Sequence, residues 1–345
     1  MSFFRAISAA VLPLAALFFS GADAYAQSAN VTYLEGSVDY QPSGQLRSPA
    51  QIGETLHPGD SIITGTNGLA DLQRQNQAQI TVSPGTVFTL RQIEQGGQKR
   101  DVLAVALGSI VFKFNQLFGR EPEIATASAS AGIRGTELTV YAGADGTSLF
   151  IVNKGKVDVT SGGKTVDLTE AEGVQVTPGQ APGAKFKVLA GFVNYSTWNA
   201  DRVKAMLADP AASALRIEKQ MSYFEEQIAT LAPEYSKTAA ALVAARARLK
   251  EVLQKEGSAA GNKYYGDSVF PLEKRGADLF LNIRYYALSA LSLRTYVLGR
   301  LYLELATRYI AQPNNTLYSS FLRVYNRVLT SFQEKVVPYL VPADI

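Results

Sequence analysis

The sequence predicts an all-β domain followed by an all-α helical bundle, and three observations predict it. Between residues 29 and 176, short alternating runs are punctuated by Gly every ten or so positions, the mark of many strands joined by turns. Beyond residue 195, apolar residues such as Met221, Phe224 and Ile228 recur at helical spacing. The composition also changes near Ala190. Residues 27–189 are Gly-, Thr- and Val-rich and carry 13 Lys+Arg against 15 Asp+Glu. Residues 190–345 are Ala-, Leu-, Arg- and Tyr-rich and carry 19 against 14. The expected division is therefore 1–26, 27–189 and 190–345.

Residues 1–26 read as a signal peptide. Arg5 is the basic start, residues 9–19 are apolar, and Ala24-Tyr25-Ala26 is a small-x-small cleavage site before Gln27. No cysteine follows to carry a lipid, and the mature chain is expected to have no membrane span. The chain contains no cysteine, which removes disulfides, thiolate metal sites and thiol nucleophiles and leans towards a bacterial envelope protein. About 320 residues remain after cleavage, more than one ordinary core holds.

In the β domain, His57-Pro58-Gly59-Asp60 and Ser83-Pro84-Gly85 are turns between strand-like runs. An internal echo recurs at Leu34-Glu35-Gly36-Ser37-Val38, Leu107-Gly108-Ser109-Ile110-Val111 and Lys154-Gly155-Lys156-Val157. Gly before β-branched alternation suits a β-solenoid-like coil of short strands, with a β-sandwich as the alternative. The stretch 124–141 is the centre of the domain. Small residues at 125–131 are expected to let one strand lie close against its neighbours before a turn at Gly132; Gly132 and Gly135 bracket a spot of positive φ or close backbone approach, with Arg134 the long charged side chain between them.

These motifs, with Pro58-Gly59-Asp60-Ser61-Ile62-Ile63-Thr64-Gly65, Ile133-Arg134-Gly135-Thr136-Glu137-Leu138 and Glu172-Gly173-Val174-Gln175-Val176, make the chain resemble the FecR domain of bacterial envelope proteins over roughly residues 29–188. The resemblance implies a periplasmic, solenoid-like domain that works by binding, with no catalytic residues to carry over. The family's founding member is a transmembrane regulator of a sigma factor with a cytoplasmic helical segment. This chain opens on an export signal instead, which argues against direct sigma-factor control.

The candidate site residues are Arg134, Asp60, Leu117 and Phe118. Arg134 is expected to satisfy carbonyls or a carboxylate such as Glu137, or else to bind an anion. Asp60 is expected to bond amides of its own turn. Leu117 and Phe118 form the apolar tip of a loop that touches a partner or covers the end of the β coil. His57 is the single histidine, and carboxylates are scattered, so no catalytic group, metal site or cofactor is expected. Gly162-Gly163-Lys164-Thr165 lacks the first glycine and the strand–loop–helix setting of a phosphate loop.

In the helical domain, the pattern predicts helices over residues 197–208, 211–231, 233–256, 271–311 and 316–336, with Pro233 and Pro271 at helix starts and a flexible connector at 257–266. Leu215 is placed on the apolar face of the second. The helix 271–311 is apolar around most of its circumference, with a polar stripe of Asp278, Asn282, Ser289, Ser292 and Thr295, and belongs at the centre of a bundle. Its Arg and Tyr density suits either bundle packing or an interface with an anionic partner.

The expected function is non-enzymatic: a periplasmic binding or scaffolding protein whose FecR-like domain recognises an envelope protein or glycan, and whose helices mediate assembly, including a homo-oligomer. The alternative is a periplasmic signalling adaptor that senses an outer-membrane transporter. A net charge of +3 without a basic stripe gives no reason to expect nucleic acid.

Overall fold

The computed structural model describes residues 28–74, 78–115 and 121–340; the expected signal segment and the loop residues Leu117 and Phe118 lie outside them. The chain forms an all-β region followed by an all-α region. The strands are β1 (Ala29–Glu35), β2 (Val38–Gln41), β3 (Ser48–Pro49), β4 (Thr55–Leu56), β5 (Ser61–Thr64), β6 (Leu69–Arg74), β7 (Ala78–Val82) and β8 (Val87–Gln95). Then follow β9 (Gln98–Phe114), β10 (Glu123–Thr126), β11 (Ser130–Ala142), β12 (Ser148–Ser161), β13 (Lys164–Thr169), β14 (Glu172–Val176) and β15 (Phe186–Lys187). All belong to one sheet that runs from β15 to β4, with β8, β5, β2 and β3 branching from β9, and it does not close into a barrel. Among the described residues every pairing is antiparallel except β9 with β10. The strands form one mainly antiparallel sheet around a core that includes Ile62, Phe88, Leu103, Phe112, Val140 and Phe150.

The echo has a steric cause. Gly36 and Gly108 both have positive φ, +63° and +103°, and a Cβ at either would lie 2.1 Å from Asn67 O or 2.2 Å from Thr86 Oγ1. Only glycine fits two such crowded left-handed corners. The central stretch turns earlier than the sequence suggests. Residues 127–129 make the turn, where the Ala129 carbonyl accepts from both Thr126 N (2.9 Å) and Thr126 Oγ1 (3.1 Å). β11 then runs straight through Gly132, whose surroundings are open, and only Gly135 has positive φ, +60°.

Alternation fails where the helices dock. Asp101 to Ile110 of β9 are buried without a break, because one face meets the sheet core and the other meets helical residues. Val87, Ala106, Leu107 and Ala144 pack with Val203 and Tyr296, and Tyr141, Leu149 and Ile151 with Tyr195 and Trp198. A strand buried on both faces reads as a continuous apolar run.

The helices are α1 (Tyr195–Ala208), α2 (Pro210–Tyr264), α3 (Phe270–Leu293), α4 (Gly299–Arg308) and α5 (Thr316–Lys335). α2 departs from helical geometry only at Gly257 (φ 83°, ψ 179°), so Pro233 lies inside it and the expected connector is helical apart from that residue. At Gly257 the chain reverses. Glu234–Arg275 (2.6 Å), Arg246–Glu273 (2.9 Å) and the Tyr235–Phe280 ring contact align the two legs as an antiparallel hairpin. The first leg is about 70 Å long at 1.5 Å per residue. α5 runs alongside it through Arg327–Glu218 and Lys335–Glu225.

One uninterrupted seam passes through Pro233. Ala214, Ile217, Met221, Phe224, Ile228, Leu231, Tyr235, Thr238, Leu242, Ala245, Leu249 and Val252 alternate steps of three and four, the spacing of a coiled-coil stripe. Leu215 falls off that stripe and is 48% exposed. The return leg keeps pace by inserting two π turns, Tyr265–Val269 and Arg294–Leu298. Its inward residues step by five at each, from Tyr264 to Val269 and from Leu293 to Leu298, which absorbs one extra residue per turn.

An interior proline lacks one helix hydrogen bond, whereas a proline at a helix start costs nothing. Pro233→Ala is therefore expected to stabilise the chain, by up to about 3 kcal/mol in urea unfolding. No change would mean that a helix begins at Pro233.

Candidate functional site

Asp60 is consumed by its own corner. It is 5% exposed and accepts from Tyr40 Oη (2.7 Å), Ser43 N (2.8 Å) and His57 N (2.9 Å). Burial and this bond push the Tyr40 hydroxyl pKa up. Two carboxylate oxygens holding three donors fix the turn before β5 and leave little for a ligand.

Arg134 is neither crowded nor paired with Glu137. A bulge at Gly135 places Thr136 inward, 1% exposed, where its hydroxyl donates to Lys156 O (2.9 Å). The bulge leaves Arg134 outward with its side chain 78% exposed, 3.5 Å from Asp158. Glu137 instead lies 4.0 Å from Lys113. Lys113, Glu137 and Lys154 share one row across β9, β11 and β12, and Arg134 faces Lys156 in the next. The outer face of these strands is thus an accessible, mainly cationic surface. An exposed pair such as Arg134–Asp158 contributes little to stability and is free to exchange for a partner's carboxylate.

Sequence reasoning missed the residue that joins the two regions. Arg91 of β8 is buried and donates to Ser289 Oγ (3.0 Å), Ser292 Oγ (2.7 Å) and Leu288 O (3.3 Å) of α3. Burial lowers its pKa to about 10, so it stays charged at neutral pH without a carboxylate partner. The serine hydroxyls give their protons to Tyr285 O and Leu288 O, which frees their lone pairs for the guanidinium. Two turns before Ser289, Asn282 accepts from Glu94 N (2.7 Å) and donates to Glu94 O (2.9 Å), as a neighbouring strand would. The polar stripe on an otherwise apolar helix was the available signal: Asn282, Ser289 and Ser292 face β8. Asn199 adds a bond to Ala144 N (2.8 Å) and Gln220 one to Gly179 N (3.0 Å).

Much of the Arg and Tyr density belongs to packing. Tyr302 stacks on Tyr325 with centroids 4.6 Å apart, and Tyr309 on Tyr318 at 5.8 Å. Among the described residues there is no cluster of three or more His, Asp or Glu that could hold a metal, and no helix long and apolar enough to cross a membrane.

Residues 60–158, from the Asp60 corner to the Asp158 that pairs with Arg134, match the family model described as FecR protein. That match lies wholly within the all-β region. No curated protein matches the chain. Among solved structures, two crystal structures of a putative anti-sigma factor from Parabacteroides distasonis align with TM-scores of 0.33 at 17% and 18% identity. The alignments cover 38% of this chain and 60% of those chains, so this chain spans about three-fifths of their length.

Two outcomes follow from the seam and from the last turn of the sheet. Arg91→Met, which removes the charge and keeps the volume, is expected to change stability by less than about 1 kcal/mol. Removing its acceptors with Ser289→Ala and Ser292→Ala strands the charge and costs about 1–3 kcal/mol per lost acceptor; the reverse order in urea unfolding would mean that Arg91 is not held this way. Glu172 accepts from Thr169 N and Oγ1 and lies near Lys185 and Lys187, and these contacts, Thr169 N foremost, hold its pKa down to about 2. Its folded pKa lies below the unfolded one, so its contribution is complete above about pH 4.5 and is lost as the pH falls towards 2. Acid titration of thermal stability should show a shallower fall for Glu172→Gln than for the parent over that window.

Proposed function

We propose that this chain is a non-catalytic signalling adaptor of the bacterial envelope, exported by residues 1–26, with a FecR domain at 27–189 and a helical domain at 190–345. The FecR match over residues 60–158 carries the reading, since that family's founding member is a regulator rather than an enzyme. The exposed end of the outer strand face around Arg134 supports it, because it offers charge for a partner beyond the part of that face covered by helices, while the inner face packs into the sheet core. In this reading the β domain senses an outer-membrane transporter in the periplasm, and an inner-membrane protein takes the signal onwards. Recognition of another envelope protein or a glycan by the same face is the second reading, favoured by its mixed Lys–Glu rows.

The test is crosslinking of tagged protein in its own envelope, followed by affinity capture, with Arg134→Glu in parallel. Joint recovery of an outer-membrane transporter and an inner-membrane protein, reduced several-fold by Arg134→Glu, is the expected outcome. Recovery of glycan alone moves the assignment to the second reading, and recovery of the chain alone removes both.

A further inference from the structure

From the second π turn, we infer that the helical domain holds a small oxyanion, a carboxylate or phosphate group, against Arg294. This goes beyond the FecR match, which ends far upstream at residue 158. At the join of α3 and α4 the Gly299 N–H reaches back five residues to Arg294 O, and a Cβ at 299 would stand 3.2 Å from that oxygen. Beside this turn lies a half-open pocket of about 150 Å³ lined by Arg294, Thr295, Gly299 and Tyr325. Such turns recur at functional sites because they widen a helix where a ligand must approach.

The guanidinium is positioned but unspent. Its carbon lies 5.2 Å from the Phe332 ring centre, a cation–π contact that sets its plane. Its Nε is buried without an acceptor, as are those of Arg91, Arg202 and Arg284, and no carboxylate lines the pocket beside it. Arg246, Arg275 and Arg327 each reach a glutamate, and Arg91 reaches two serines. Thr295 and Tyr325, both hydroxyl-bearing, belong to the same lining, and Tyr325 stacks on Tyr302. A planar fork of donors beside two hydroxyls, with no carboxylate in the lining, complements an oxyanion.

Isothermal titration of the chain with inorganic phosphate, acetate and succinate tests this, with Arg294→Gln, Arg294→Lys and the exposed neighbour Arg300→Gln as variants. Saturable binding of at least one probe is expected, weakened tenfold or more by Arg294→Gln, partly kept by Arg294→Lys and changed less than twofold by Arg300→Gln. The lysine variant keeps the charge, so its retained melting transition separates a lost site from a lost fold. A second arm uses phosphatidylglycerol vesicles: sedimentation that needs Arg294, when free anions do not bind, assigns the oxyanion to a lipid headgroup. Equal binding by parent and Arg294→Gln, or no binding to any probe or vesicle, overturns the inference.

Discussion

A buried guanidinium with no carboxylate is stable only where fixed acceptors meet its donors, and Arg91 finds three within two turns of α3. That requirement sets the relation between the two regions. Ser289 and Ser292 must face β8, so α3 has one rotation about its axis, and Asn282 then falls opposite the Glu94 backbone. With that rotation set, Ile283, Ala287, Ala290 and Leu293 point into the bundle. The apolar second face of β9 fits the same arrangement, since Ala106 and Leu107 would otherwise stand in water.

The hairpin answers a different constraint. α2 keeps strict heptads for about six repeats, which fixes a narrow stripe but leaves the return leg little freedom in phase. The return leg has to satisfy two partners, α2 on one side and β8 on another, with a sequence that does not repeat every seven residues. Two π turns reconcile these demands by taking up one residue each. Past the Glu234–Arg275 pair, the described hairpin is held by its own small cluster of Leu242, Ala245, Leu249, Val269 and Leu272.

Much of the fold could be read in the sequence because its signals are local. Glycine corners, period-two runs and the change near Ala190 each depend on a few neighbouring residues, and so did the turn chemistry of Asp60. What could not be read depends on residues far apart in the chain. Arg91 looks like an ordinary strand charge until α3, about 200 positions later, is placed beside it. Arg134 looked crowded because the small residues before it suggested close packing, yet a single bulge turns it to solvent and its carboxylate is Asp158 rather than Glu137. Pro233 is a fair helix-start signal locally, and only the unbroken stripe from Ala214 to Val252 overrules it. The polar stripe on α3 was visible, but a stripe alone does not say whether it faces water or another part of the chain.

This arrangement decides which surfaces remain for partners. The part of the outer sheet face that carries Ala106, Leu107, Tyr141 and Leu149 is closed by α1 and by residues of the long return leg. A partner of the β region is left with the uncovered end of that same outer face, bearing Lys113, Arg134 and Lys154, or with the sheet edges. On the helical side, Arg294 begins its π turn two residues after Ser292, the hydroxyl closest to Arg91. A ligand that tightens or relaxes that turn acts on the same helical segment that holds the buried charge. The route between the two regions is therefore short: one serine, one guanidinium and the strand that carries it.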